Sequence, residues 1–174
     1  MEFSIADARQ ILQATPEVLR AWLSHLSAPW VQNNYGTATF SPFDVVGHLI
    51  HGDRTDWIPR ARLILAHGEA KPFEPFDRYA MYEASRGKSI HELLDLFAAL
   101  RQENLKHLDD MRITDRDWER TGMHPALGHV TLRQLIATWA VHDLNHIAQI
   151  AKAMAYQYQE QVGPWEAYLS ILKK

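Results

Sequence analysis

At 174 residues the chain is long enough for one domain to bury a core without staples, and 47% hydrophobic against 22% charged residues is an ordinary globular balance. A formal charge of −3 gives no electrostatic ground for binding nucleic acid or an anionic membrane surface, so neither is expected as a partner. The absence of cysteine excludes disulfides, thiolate ligands and a cysteine nucleophile, which leaves His, Asp, Glu or water for any bound metal.

The first residues, MEFSIADARQ, carry acidic side chains where a secretory signal would carry basic ones, and no signal peptide is expected. No stretch reaches the roughly eighteen uninterrupted apolar residues of a spanning helix. The expectation is a cytoplasmic protein, folded as a single domain over residues 1–174.

In chain order, a short helix is expected from Ser4 to about Gln13, followed by a fresh start at Thr15 and Pro16. From there Val18, Leu19, Trp22, Leu23 and Leu26 keep helical spacing. APWVQNNYGTATF (28–40) reads as loop, with YGTATF the best place for a small β excursion. Ser41, Pro42 and Asp44 open a second long helix that runs toward Gly68 and that Pro59 should kink or split. After the proline-containing KPFEPF, Ser89 and Glu92 form a capping box for a third helix ending near Met111. A single turn at TDRDW and an irregular HPALGHV segment follow. Thr131 and Gln134 then cap a fourth long helix, and WEAYLSIL adds a short terminal one. No strand-like alternation of any length is visible, so the fold class is all-α: a four-helix bundle with additional short helices. The connection over 68–88 is long enough to cross an end of the bundle, so up-down-up-down order is not required.

HDLNHIAQI places His142 and His146 four apart on the last long helix. Ten histidines in the chain would supply such a spacing by chance about half the time, so position matters more than spacing. At 100° per residue, Leu135, Trp139, His142, His146, Ile150 and Ala153 fall in one narrow arc, which turns both imidazoles toward the bundle interior. Each unpaired polar group there costs about 1–3 kcal/mol, and a cation shared between the rings relieves that cost. Hydrogen bonds to backbone, Asp or water would relieve it equally well.

VVGHLIHGD offers a third ligand. His48 borders the apolar arc of Val45, Val46, Leu49, Ile50 and Trp57, whereas His51 lies farther round, so His48 is favoured without the angles deciding it. Asp53 falls near the centre of that arc and needs a partner: either a ligand histidine that it orients or a buried arginine. His124 and His129 flank the MHPALGH loop and read mainly as solvated. No phosphate loop, nucleophile elbow or HExxH motif is present.

SPFDVVGHLIHGD together with DWERTGMHPALGHVTLRQLIATWAVHDLNHIAQI resembles the DinB-like superfamily, which includes YfiT-type metal hydrolases and bacterial thiol-dependent transferases. The resemblance spans most of the chain in order. It implies a four-helix bundle holding a divalent metal, commonly zinc or nickel, between one histidine of the second helix and two residues of the fourth. Those positions are His48, His142 and His146. The mycothiol-dependent isomerase branch has glutamate at the position of His142, so the chain stands nearer the three-histidine members. The resemblance further implies a homodimer and a small-molecule substrate.

Three neutral imidazoles leave a cation its full charge and at least one free position, as in catalytic zinc sites. That chemistry serves hydrolysis, or S-transfer from a bacillithiol- or mycothiol-like thiol, with transfer slightly preferred on the resemblance. Asp53 and His51 are the candidates for a supporting or general-base role. The competing expectations are a non-catalytic metal-binding or stress-associated protein, and a helical dimer whose site is vestigial.

Overall fold

A computed structural model describes residues 1–173. Its regular elements are α1 (Ile5–Leu23), α2 (Ala28–Gln32), α3 (Pro42–Thr55), α4 (Trp57–His67), α5 (Ala80–Ser85), α6 (Ile90–Asp110), β1 (Thr121–His124), β2 (Gly128–Thr131) and α7 (Leu132–Tyr156). Single 3-10 segments occupy Gly68–Ala70, Asp117–Glu119, Gly163–Tyr168 and Ser170–Leu172.

Side-chain oxygens close the first turns of the long helices, whose leading amides have no partner within the helix. Ser41 with Asp44, Ser89 with Glu92 and Thr131 with Gln134 form reciprocal boxes at α3, α6 and α7. At the other break in that half of the chain, α3 ends at Thr55 and α4 restarts at Trp57. This places Pro59 in a first turn, where its missing N–H and its ring are tolerated.

Four expectations need correction. The two helices expected before residue 27 are one, α1, which runs straight through Pro16. The buried face of Ala8, Leu12, Thr15, Leu19 and Leu23 is continuous across the proline, and tertiary packing overrides the local signal. Residues 28–32, expected as loop, form the helical turn α2 with Pro29 in its first turn. No strand forms in YGTATF. The strands are instead β1 and β2, antiparallel with Gly122 opposite Val130 and a three-residue loop turning at Gly128, whose φ of +74° suits glycine. Four-residue strands are too short to show alternation, and they are held by tertiary contacts: Phe73 donates its amide to the Met123 carbonyl at 2.9 Å. Gly122 lies so close to Ile64 and Phe73 that a Cβ there would sit 2.8–3.0 Å from them.

In the bundle, α1 packs chiefly on α6 and α7, and α3 packs on the same two helices. The order round the bundle is therefore α1, α6, α3, α7, with α1 diagonal to α3 and α6 diagonal to α7. Successive long helices do not simply neighbour one another. Two apolar clusters fill the interior. One gathers Leu12, Trp57, Ile58, Ile64, Leu105, Leu132, Ile136 and Trp139; the other gathers Leu19, Leu23, Val45, Val46, Leu49, Leu94, Phe97 and Ile150.

Between them sits a charged waist. Arg101 is 1% exposed, Asp53 2% and Asp143 0%. The guanidinium donates Nε and Nη2 to Asp53 at 2.8 and 3.1 Å, both terminal nitrogens to Asp143, and Nη1 to the Leu12 carbonyl at 2.8 Å. Leu12 has that carbonyl to offer because Pro16, four residues on, has no N–H to take it. Asp53 also accepts from Trp139 Nε1 at 3.2 Å, and its backbone carbonyl accepts from Asn104 at 2.6 Å. Burial pushes the Asp53 carboxyl above its usual range, and the Arg101 charge and hydrogen bonds oppose this.

Arg101→Met leaves two buried carboxylates facing each other, so the unfolding free energy falls by about 3–5 kcal/mol, read from the urea midpoint. Arg20→Met, which removes an exposed pair with Asp95, changes it by less than about 1 kcal/mol.

Candidate metal centre

α3 contributes His48 and α7 contributes His142 and His146, one helical turn apart on the face turned toward α3. His48 and His146 are each 7% exposed and His142 is partly buried. The Nε2 atom of His142 lies 3.3 Å from that of His48 and 3.0 Å from that of His146. One ligand atom from each ring falls within 4.8 Å of the other two. Two imidazole nitrogens bound at about 2.0–2.1 Å to one tetrahedral zinc lie roughly 3.3 Å apart, so the spacing matches a shared cation.

The surroundings keep the rings neutral. Burial and then repulsion from His146 push His48 down to about 4, with Arg78 and His51 adding to it. Burial and the two neighbouring imidazoles push His142 down to about 3. Burial also lowers His146, against the opposing effect of Gln149 and Asp143. A neutral imidazole is the form that ligates a metal.

The outward nitrogens differ from one another. His146 Nδ1 meets Gln149 Oε1 at 2.7 Å, so the ring proton sits on Nδ1 and the Nε2 lone pair faces the cluster. The Nδ1 atoms of His48 and His142 are buried without a hydrogen-bond partner among the described residues. These two rings are held by aromatic neighbours instead: Trp57 stands edge-on at 5.1 Å from His142, while Phe40, tilted, and Phe76, edge-on, lie 5.6 and 5.4 Å from His48. Hydrogen bonding through Nδ1 gives no reason for two such groups to be buried here, whereas converging Nε2 lone pairs do. The residues present fit a divalent cation.

Asp53 does not reach an imidazole. Both of its oxygens are engaged by Arg101 and Trp139, which corrects the expectation that it orients a ligand histidine; the buried arginine was its other reading. Its link to the centre is indirect, through Trp139 stacked on Trp57 at 6.0 Å. His51 lies outside the cluster, partly exposed, with its ring on Phe76 at 4.9 Å. His124 accepts from the Ala126 and Leu127 amides in the hairpin loop, and His129 pairs with Glu69 at 2.8 Å.

Sequence reasoning missed Arg101, Asp143 and Gln149. A signal existed for each. Arg101 continues the buried stripe of Leu94, Phe97, Leu105 and Leu108; Asp143 lies on that of Ile136, Ala140 and Ile150; Gln149 follows His146 by three, within reach on one helix face. Beside His48 and His146 opens a cavity of about 520 Å³ whose walls include Tyr35, Phe40, Arg78, Gln149 and Lys152.

Residues 5–150 match the family model of the DinB superfamily. The chain belongs to the DinB superfamily. A solved structure, YfiT from Bacillus subtilis, described as a probable metal-dependent hydrolase with an unusual four-helix bundle topology, is similar with a TM-score of 0.73. The likeness covers 93% of this chain and 91% of that one at 21% identity, and what it shows is the shared bundle fold. No curated protein matches this DinB chain. Among its described residues, no helix is long and apolar enough to cross a membrane.

Unfolded histidines titrate near 6.5, and folded His48 and His142 near 4 and 3, so acid favours the unfolded state. The metal-free DinB bundle is therefore fully stable above about pH 6.5 and loses stability as pH falls through 6 toward 4. Urea midpoints across that range report the loss, and His142→Gln makes the slope shallower.

Proposed function

We propose that this protein is a metal-dependent enzyme acting on small molecules, with His48, His142 and His146 holding one divalent cation, zinc or nickel. The observation that carries the reading is the convergence of three neutral imidazole nitrogens beside a cavity. A cation there would supply Lewis acidity, activating water for hydrolysis or a low-molecular-weight thiol for transfer. The description of YfiT as a probable metal-dependent hydrolase supports the first use, and the resemblance to thiol-dependent transferases supports the second.

The protein's own groups define the rest of the work. Gln149 fixes the tautomer of His146, and Trp57 and Phe76 pack against His142 and His48, keeping water from their outer faces. His48 and His146 border the cavity, whose volume is in the range of small-molecule sites. An adjoining cavity and a three-residue donor set favour catalysis over a cation that only ties helices together, since the latter calls for a fourth protein ligand. Homodimerisation belongs to the same reading and is supported by the exposed Val141 and Leu144 on α7. A cytoplasmic setting is supported by the cysteine-free composition.

Purified protein should carry about one divalent cation per chain, and His48→Ala, His142→Ala and His146→Ala should each abolish it. The cation should raise the melting temperature of the parent and leave that of the variants unmoved. A parent without bound metal, together with an unchanged melting temperature in His142→Ala, would overturn the proposal. Ester and amide hydrolysis, compared with thiol consumption by electrophiles, separates the two chemistries.

A further inference from the structure

The cavity beside the histidines is electropositive, in a chain whose formal charge is −3. Arg78 and Lys152 line it, and among the described residues no carboxylate does. Among the described residues neither Arg78 nor Lys152 has a carboxylate within 4.0 Å. Aromatic faces hold them instead. The Arg78 guanidinium lies 5.3 Å from the Phe40 ring centroid and 5.2 Å from that of Tyr79. Lys152 Nζ lies 5.8 and 5.7 Å from the centroids of Tyr35 and Tyr156, and its one hydrogen bond among the described residues is a long one, 3.4 Å, to the Lys173 carbonyl. Cation–π contact orders a cationic side chain while leaving its charge uncompensated, which a neighbouring carboxylate would not.

Position adds direction to the charge. His146, Gln149 and Lys152 follow one another along α7, and six residues of helix set Lys152 roughly 9 Å along the axis from His146. The Tyr35 and Phe40 rings line the same cavity. A ligand that reaches the histidines at one end can therefore present a second group to a cation several bonds away.

We infer that the cavity binds an anionic small molecule, a carboxylate or a phosphate, whose charged group is received by Arg78 and Lys152 while its reacting end faces the three histidines. The inference rests on the reading of the histidine cluster as a metal centre, which it extends by naming a substrate class and two specificity-determining residues. A bidentate guanidinium and a mobile ammonium both suit these anions, and an uncharged analogue leaves two cations without a counter-charge.

The test is calorimetric binding of four probes to zinc-loaded protein: glutarate and glycerol 3-phosphate, with glutaramide and glycerol as their uncharged counterparts. At least one anion should bind about tenfold or more tightly than its neutral counterpart, and the tighter anion identifies the class. Arg78→Gln and Lys152→Gln should each weaken it about tenfold at unchanged zinc content, and Lys152→Arg should keep it, which separates charge from folding. Equal binding of neutral and charged probes, no binding of either anion, or unchanged affinity in the double variant would overturn the inference. Zinc retained with no effect of the variants removes this inference and leaves the metal centre standing. Protein that takes up no zinc, yet binds the anion and loses that binding in the double variant, does the reverse.

Discussion

One guanidinium ties the four long helices together. Arg101 belongs to α6 and reaches the Leu12 carbonyl of α1, Asp53 of α3 and Asp143 of α7, with nearly every N–H directed to an acceptor. A well-packed apolar substitute would give comparable stability, so the physical value of such a network lies in registry more than in energy. Here registry matters for chemistry. Asp53 follows His48 by five residues on α3, and Asp143 stands between His142 and His146 on α7. Sliding either helix by a turn breaks the buried ion pairs and misaligns the imidazoles together. The charged waist is thus a gauge that sets the distance across the histidine cluster.

The cluster itself is a local departure from good packing. His142 brings its Nε2 to 3.3 and 3.0 Å from those of His48 and His146, and two buried Nδ1 atoms lack a partner among the described residues. A core selected for stability alone would place an aliphatic side chain there, as it does at Leu49 beside His48 and at Ile150 beyond His146. Rings that are held by Trp57, Phe40 and Phe76 are placed by shape, and only His146 is also placed by a hydrogen bond to Gln149. Stiffness of this kind keeps a donor set ready for a cation without reorganisation.

Much of this was legible beforehand, for reasons that can be named. Ser41, Ser89 and Thr131 announce helices because capping is a contact among residues three apart, written locally in the chain. The inward arc of α7 likewise exposes His142 and His146, since helical period alone fixes their direction. What escaped depends on partners distant in sequence. Pro16 looks like a helix start until the face from Leu12 to Leu19 is seen to pack without interruption. The hairpin at Thr121–Thr131 is set by Phe73 and Ile64, which no reading of HPALGHV contains. Asp53 had two possible partners, and choosing between them required knowing that Arg101 lies across the bundle.

Pro16 also imposes an order in time on folding. A proline in mid-helix leaves an acceptor that its own helix cannot satisfy, and the donor that meets it lies 89 residues away. α1, which leaves the ribosome before α6, is therefore incomplete on its own and is finished only when α6 has been made and has docked. Its neighbours in the waist depend on α7, later still. Such long sequence separations slow the search for the native state, because loop closure precedes the contacts that reward it. They also tie the site to the last long helix: a chain that has not yet placed α7 has neither a closed waist nor a histidine cluster, so such molecules present no site.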